Sequence, residues 1–201
     1  SAPVRTLCCY PVQDGFVEAM AALVDEGIAT ARAAGRPRIL FSAHGLPEKV
    51  VKSGDPYQVQ VEATAAATMS RLGDSDVDHV VCYQSRVGPL KWIGPSTEDE
   101  IARAGRDGVP VVLAPLAFVS EHSETLVELD IEYAELAHEA GVPAYVRVPT
   151  VSTHPAFIGG LAALARAALA RDTDAPLPDG ERRICAPGWS GCPCRAAGQD
   201  G

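Results

Sequence analysis

The sequence predicts a Rossmann-like three-layer α/β/α domain built on a four-stranded parallel sheet, followed by a cysteine-rich tail. Three observations carry that prediction. Short β-like runs alternate with helical patterns along most of the chain, which favours parallel strands joined by crossover helices. One run, P-V-V-L-A-P-L-A-F, is apolar without interruption, as a strand covered on both faces must be. Beyond Arg171 the composition changes abruptly to a Pro/Asp/Gly linker, D-T-D-A-P-L-P-D-G, and a segment with three cysteines.

Taken in order, Asp14 is expected to cap a first helix whose apolar positions Phe16, Met20, Val24 and Ile28 recur at helical spacing, with Gly35 and Pro37 ending it. A strand over Arg38–Ser42 follows, and Asp55-Pro56 opens a helix through Leu72. His79–Gln84 reads as a short buried strand, and Ser96, three residues before Asp99, caps a helix to about Arg106. Val109–Phe118 is the third strand, limited to its first half by Pro115. One long α-helix is predicted over Glu121–Ala140 and stopped by Gly141-Val-Pro. Ala144–Val148 supplies the fourth strand, and Thr153 with Pro155 starts an Ala-rich helix ending near Arg171.

A length of 201 residues with 47% hydrophobic content supports a large globular core. A net charge of -9 argues against a nucleic-acid surface, which needs clustered Lys and Arg, and is compatible with metal cations. No apolar segment reaches the roughly 20 residues that span a bilayer, and no signal peptide is evident, so a cytoplasmic location is expected. Peripheral membrane contact and oligomeric state are left open. The chain opens on Ser1 rather than Met, which suggests a processed chain or part of a longer one.

The chemistry-bearing residues gather where two strands are expected to end. His44 closes the run I-L-F-S-A-H and precedes Gly45-Leu-Pro47, while His122 lies among acids in S-E-H-S-E-T-L-V-E-L-D after the third strand. The carboxyl edge of an open parallel sheet is where such folds place ligands. On an α-helix, Glu121, Glu124, Glu128, Glu132, Glu135 and Glu139 would form one stripe opposite Leu129, Tyr133 and Leu136. By itself that is a solvated face. The first three acids repel one another at i+3 and i+4 spacing around His122, which favours a visiting cation or exchangeable protons. His79, His138 and His154 have no comparable setting and are read as non-catalytic.

In the tail, Cys185, Cys192 and Cys194 sit in a Gly/Pro-rich loop and favour a metal or cluster over a disulfide in a cytosolic chain. A closed four-cysteine site needs one more ligand, for which Cys8 and Cys9 are both candidates. Spacing alone does not choose between zinc and iron–sulfur. Cys82, inside a buried strand, is assigned to the core.

F-S-A-H-G-L-P at 41–47, G-D-P-Y at 54–57, Q-S-R-V-G-P-L-K-W-I-G-P at 84–95 and the acidic run at 120–133 together resemble the ferrochelatase family, which inserts Fe²⁺ into a porphyrin to form haem. The resemblance implies a chelatase-like α/β domain over 1–172, corresponding to the second of two similar halves that face each other across a porphyrin cleft, and a linker and cluster-binding tail over 173–201. The first half is expected to be absent, which would leave this chain alone inactive. His44 matches the family's proton-accepting or metal-meeting histidine, and Glu124 its partner across the cleft. Glu121, His122 and Glu128 match an acidic path for metal or protons along a helix that the family distorts by a π-bulge. Gln84, Ser85 and Trp92 match a cleft-lining loop. The tail spacing resembles that of bacterial members with a [2Fe–2S] cluster, held by Cys185, Cys192, Cys194 and either Cys9 or Cys8. The substrates implied are Fe²⁺ and a porphyrin, with protoporphyrin IX the first choice over coproporphyrin.

Other readings compete. A related cobalt or nickel tetrapyrrole chelatase would share the architecture, though the tail cysteines and the S-E-H-S-E-T-L run weigh against it. A non-catalytic iron–sulfur module gains weight from the missing half. A metal-dependent hydrolase using His44, His122 and Glu124 lacks the H-E-x-x-H type of spacing.

Overall fold

The computed structural model describes residues 4–73, 77–173, 175–178, 184–186 and 188–196. Its sheet contains β2 (Arg38–His44), β3 (Asp78–Gln84), β4 (Val111–Pro115) and β5 (Tyr145–Arg147), all parallel, in the order β3-β2-β4-β5. A separate two-stranded parallel pair joins β1 (Leu7–Cys9) to β6 (Leu177–Pro178). The predicted linker 172–180 falls partly outside the described residues, and its described portion includes β6.

Alternation along the central strands sends side chains into two cores. Ile39, Phe41, Ala43, Val112 and Ala114 face helices α1 (Asp14–Ala31), α3 (Tyr57–Leu72) and α6 (Pro155–Leu169), meeting Met20, Val24, Val61, Ala65 and Phe157. On the other face, Leu40, Cys82, Val111 and Leu113 pack on Ile101 and Ala104 of α4 (Thr97–Asp107) and on Leu129, Tyr133 and Ala137. Leu129 belongs to a π-helix over Glu124–Glu132, which runs into α5 (Tyr133–Glu139) carrying Tyr133 and Ala137. This is the expected three-layer arrangement, and Cys82 lies in the core as assigned.

Several expectations need correction. Gln13, not Asp14, caps α1: its side chain accepts from the Phe16 N–H at 2.9 Å, so Asp14 becomes the first helical residue. β2 runs two residues beyond Ser42 because Ala43 and His44 stay in register with Tyr83 and Gln84 of β3, making His44 the last strand residue. A short helix α2 (Glu48–Lys52) was not predicted. His154 caps α6, its Nδ1 accepting from the Ala156 N–H at 3.3 Å. The largest departure is from the predicted long α-helix: Glu121 and His122 precede the helix, which begins only after them and is wound as a π-helix through nine residues, a π distortion that the family resemblance implied. The regular acidic stripe drawn for an α-helix therefore does not exist at its amino end.

The strand order also locates the site. From β2 the chain crosses to β3 on one side and then to β4 on the other, so loops leaving β2 and β4 diverge. In open parallel sheets the carboxyl edge at such a divergence is the usual ligand position.

Candidate functional site

His44 ends β2 at this edge. Its Nδ1 lies 2.9 Å from the Gly45 carbonyl, which can only accept, so Nδ1 donates there and Nε2 is the nitrogen left to face Glu124. Nε2 stands 3.6 Å from Oε2 of Glu124, and both side chains are 45% exposed. A flat ring between the two would need a contact of about 3.5–4.0 Å on each side. The pair is therefore side by side and not opposed across a gap, which corrects the facing arrangement implied by the resemblance. The group behind His44 is tight: a Cβ on Gly45 would come within 3.0 Å of the Gln84 carbonyl oxygen and 3.3 Å of the Trp92 ring.

His122 sits just ahead of the π-helix with its ring 4.6 Å from Phe118. Its Nδ1 accepts from the Glu124 N–H at 3.2 Å, while its own N–H donates to the Thr125 hydroxyl at 3.0 Å. These bonds tie His122 to the first turn of the π-helix.

Glu128 is held from the other side. It accepts from Gln84 Nε2 at 3.0 Å, from the Ser85 N–H at 2.8 Å, from the Ser85 hydroxyl at 2.5 Å and from the Tyr133 hydroxyl at 3.1 Å. Four donors match the four lone-pair positions of a carboxylate. Gln84 is fully buried and its Oε1 accepts from Ser42, which also bonds Thr97, so the anchor reaches into the sheet. Ser85 adopts a φ of 57°, uncommon for a residue with a side chain, and its two bonds to Glu128 hold it there. Trp92 is tied to Pro47 by a backbone bridge, placing the 84–95 loop beside the His44 turn.

Glu121 lies elsewhere than an α-helical stripe would put it. Its Oε1 accepts from Arg147 at 2.7 Å and from the Thr150 N–H at 2.9 Å. Burial pushes its carboxyl up, but hydrogen bonds from Thr150, Thr125 and Arg147 outweigh this and hold it below the ordinary carboxylate range. Arg147, which the sequence reading passed over, is the last residue of β5 and also grips both oxygens of Asp130. The only signal for it was a lone cation within the otherwise apolar run A-Y-V-R-V.

At a second location, the Sγ atoms of Cys8, Cys192 and Cys194 lie within 4.8 Å of one another, a set able to hold a metal ion. Cys185 packs in the same cluster, and Gln60 Nε2 donates to its sulfur at 3.5 Å. All six cysteines are free thiols, and Cys9 is not among the grouped three. Burial, then hydrogen bonding and charge from Cys8 and neighbouring Cys192, pushes the Cys194 thiol up to about 12. Burial likewise raises Cys185 and Cys9. The tail docks on the main domain through Gly191 N–H to the Gly54 carbonyl at 2.9 Å and Ser190 hydroxyl to the Ser53 carbonyl at 3.0 Å.

An imidazole beside a carboxylate at the switch point of a parallel sheet, with a separate thiol cluster, gives this α/β protein two groups of metal-ligating side chains on a chelatase-like fold. The ferrochelatase family model matches residues 1–169, and the chain belongs to the ferrochelatase family. It is 53% identical to a ferrochelatase of Caulobacter vibrioides over 94% of this chain and 54% of that protein. Identity is 51% to the Phenylobacterium zucineum ferrochelatase and 43% to that of Rickettsia conorii, each over 96% of this chain and 55% of the relative. The chain thus spans about half the length of the curated relatives it matches. Among solved structures, SirB from Bacillus subtilis with Fe³⁺ superposes with a TM-score of 0.51 at 15% identity, covering 76% of this chain and 54% of that one, a likeness of fold. Among the described residues, no helix is long and apolar enough to cross a membrane.

Proposed function

We propose that this chain supplies the metal-handling wall of a ferrochelatase and takes part in inserting Fe²⁺ into a porphyrin, with protoporphyrin IX as the first choice of substrate. The observation that carries the proposal is the pairing of His44 Nε2 with Glu124 Oε2 at 3.6 Å on the carboxyl edge of the sheet. Both groups would meet the same face of a macrocycle lying over them, the second wall coming from outside this chain.

The reaction exchanges two pyrrole N–H protons for one Fe²⁺, so charge balances when both protons leave. Bending the macrocycle at a strain of about 1–5 kcal/mol, drawn from contacts elsewhere on the ring, tips a pyrrole N–H toward the protein. His44 Nε2 accepts that proton because Nδ1 is already committed to Gly45. The resulting imidazolium is stabilised by the adjacent Glu124 carboxylate and is exposed enough to pass its proton to water. Imidazole and carboxylate also suit Fe²⁺ as transient ligands, weaker than the four ring nitrogens that receive it. Glu128, held by Gln84, Ser85 and Tyr133, keeps the segment behind Glu124 in place, with Trp92 beside the His44 turn.

The thiols fit a cysteine-held [2Fe–2S] cluster: Cys8, Cys192 and Cys194 converge, Cys185 is buried with them, and none is spent in a disulfide. Cys8 is favoured over Cys9 as the fourth ligand because its sulfur lies in the converging set. Bound there, the cluster would supply a covalent tie between β1 and the tail. Its presence is tested by iron and acid-labile sulfide content, zinc without sulfide being the opposing result.

The test of the insertion reading is Fe²⁺ incorporation into protoporphyrin by a polypeptide extended to the length of its relatives, with His44→Ala alongside. Loss of a general base costs about 10²–10⁴ in rate, with porphyrin binding largely kept. Normal turnover in that variant removes His44 from the mechanism, and tight iron–sulfur binding without any insertion favours a non-catalytic module.

A further inference from the structure

The π-helix over Glu124–Glu132 needs an external hold, because i→i+5 winding is rare and is seen chiefly where tertiary structure or function demands it. Arg147 is placed to supply one. Nη1 donates to Glu121 Oε1 at 2.7 Å, while Nε and Nη2 donate to the two oxygens of Asp130 at 2.6 and 2.5 Å. Every guanidinium nitrogen is engaged, and the side chain is only 13% exposed. Its backbone is fixed by the parallel register of Arg147 with Leu113 on β4, and Glu121 is fixed independently by the Thr150 N–H.

The two acids flank Glu124 in sequence, nine positions apart. On a continuous α-helix at about 100° per residue they would point about 180° from each other, and one guanidinium could not reach both. The double ion pair is thus incompatible with the regular helix from Glu121 that the local pattern suggests; with Glu121 outside the helix, it ties the chain ahead of the π segment to Asp130 within that segment. We propose that Arg147 is a positioning residue: by holding Glu121 and Asp130 together it selects the π form and so sets Glu124 against His44. The two clamped acids bracket the winding of the segment, and the orientation of Glu124 follows from that winding. This rests on the proposed role of His44 and Glu124 as a joint metal-meeting pair.

The 201-residue chain can be tested directly with Co²⁺ as the probe, following its binding by calorimetry and visible absorption and taking the His44-dependent component by difference from His44→Ala. Arg147→Met should weaken that component by about 10–100-fold, the range for losing a group that orients a ligand. Arg147→Lys, which keeps the charge but cannot span both acids, should fall between. Thermal stability and Co²⁺ spectra are read together, since a merely structural role would lower the first without changing the second in the folded protein. A crystal structure of Arg147→Met should show i→i+4 bonding through 124–132 and Glu124 withdrawn from His44. Retention of the π pattern and of the 3.6 Å pairing, or unchanged Co²⁺ affinity, overturns the proposal. If Arg147→Met does not fold, the structure and affinity of Arg147→Lys decide in the same way. Absence of any His44-dependent Co²⁺ binding in the unsubstituted chain would instead sink the metal-pair reading, while the variant structures still judge Arg147.

Discussion

Removing Glu128 and removing Glu124 should have unequal consequences for stability although both are acids on the same π-helix. Glu128 satisfies Gln84 Nε2, the Ser85 N–H, the Ser85 hydroxyl and the Tyr133 hydroxyl. In Glu128→Ala the Tyr133 hydroxyl still has Glu98 at 3.1 Å, and the Ser85 hydroxyl can rotate to water. Gln84 Nε2 and the Ser85 N–H are left without a partner, on and beside a side chain with no exposure. A stranded buried donor costs about 1–3 kcal/mol, so the pair should lower stability by about 3 kcal/mol. For a chain of this size that corresponds to a fall in Tm of about 6–12 °C. Glu124 is half exposed and engages only His44 at 3.6 Å, so Glu124→Ala should cost within about 1 kcal/mol. Urea unfolding of both variants, checked for unchanged m-values, is the assay. A Glu128→Ala variant as stable as the parent, or a Glu124→Ala variant destabilised by several kcal/mol, would refute the division between an anchoring acid and a free one.

Further outcomes follow from the thiol cluster and the Arg147 clamp. Cys8→Ser should lose most bound iron and sulfide whereas Cys9→Ser should keep it, because the Cys8 sulfur lies within 4.8 Å of those of Cys192 and Cys194; metal analysis giving the reverse order reassigns the ligand. Gly54→Ala should undock the tail loop, since φ is +101° there and a Cβ would come 2.2 Å from the Ser190 hydroxyl; faster thiol labelling of Cys192 in the metal-free chain is expected, and parent-like labelling counts against it. The raised Cys194 and Cys185 thiols must lose protons to bind metal, so metal affinity should rise with pH across the neutral range and binding should release protons to the buffer. Glu121 is depressed in the folded state, so its contribution is complete above its ordinary value of 4.5 and is lost as pH falls through the lower folded value; an Arg147→Met variant should lack that part of the acid-induced loss.

The legible parts of this protein were those governed by local pattern. Ser96 caps α4 through its bond to Asp99, as the S-x-x-D spacing requires, and Gly108 ends that helix in a left-handed conformation. The apolar run before Pro115 is a strand buried on both faces. His44 and the acidic segment both stand at strand ends, and the cysteine tail does converge on the first strand. The cap at Gln13 was missed because Asp14 is the commoner capping residue, and the preference lost to an amide side chain already positioned over the Phe16 N–H. The side-by-side stance of His44 and Glu124 was missed as well, since spacing along a chain carries no distance between two strands.

By itself, the sequence determined the layer architecture, the strands that carry His44 and Gln84 to one edge, and the identities of the acids and thiols available for chemistry, because apolar periodicity and capping are read over a few neighbouring residues. Apart from the π distortion that the resemblance implied, only the tertiary structure decided how the acidic segment is held. A helix of that composition is α by local preference, and the contrary choice comes from groups far away in sequence: Arg147 at the end of β5 holding Glu121 and Asp130, and Gln84 with Ser85 holding Glu128. Those contacts exist only once the strands have paired, which is why the orientation of Glu124 toward His44 could not be read from residues 120–133 alone.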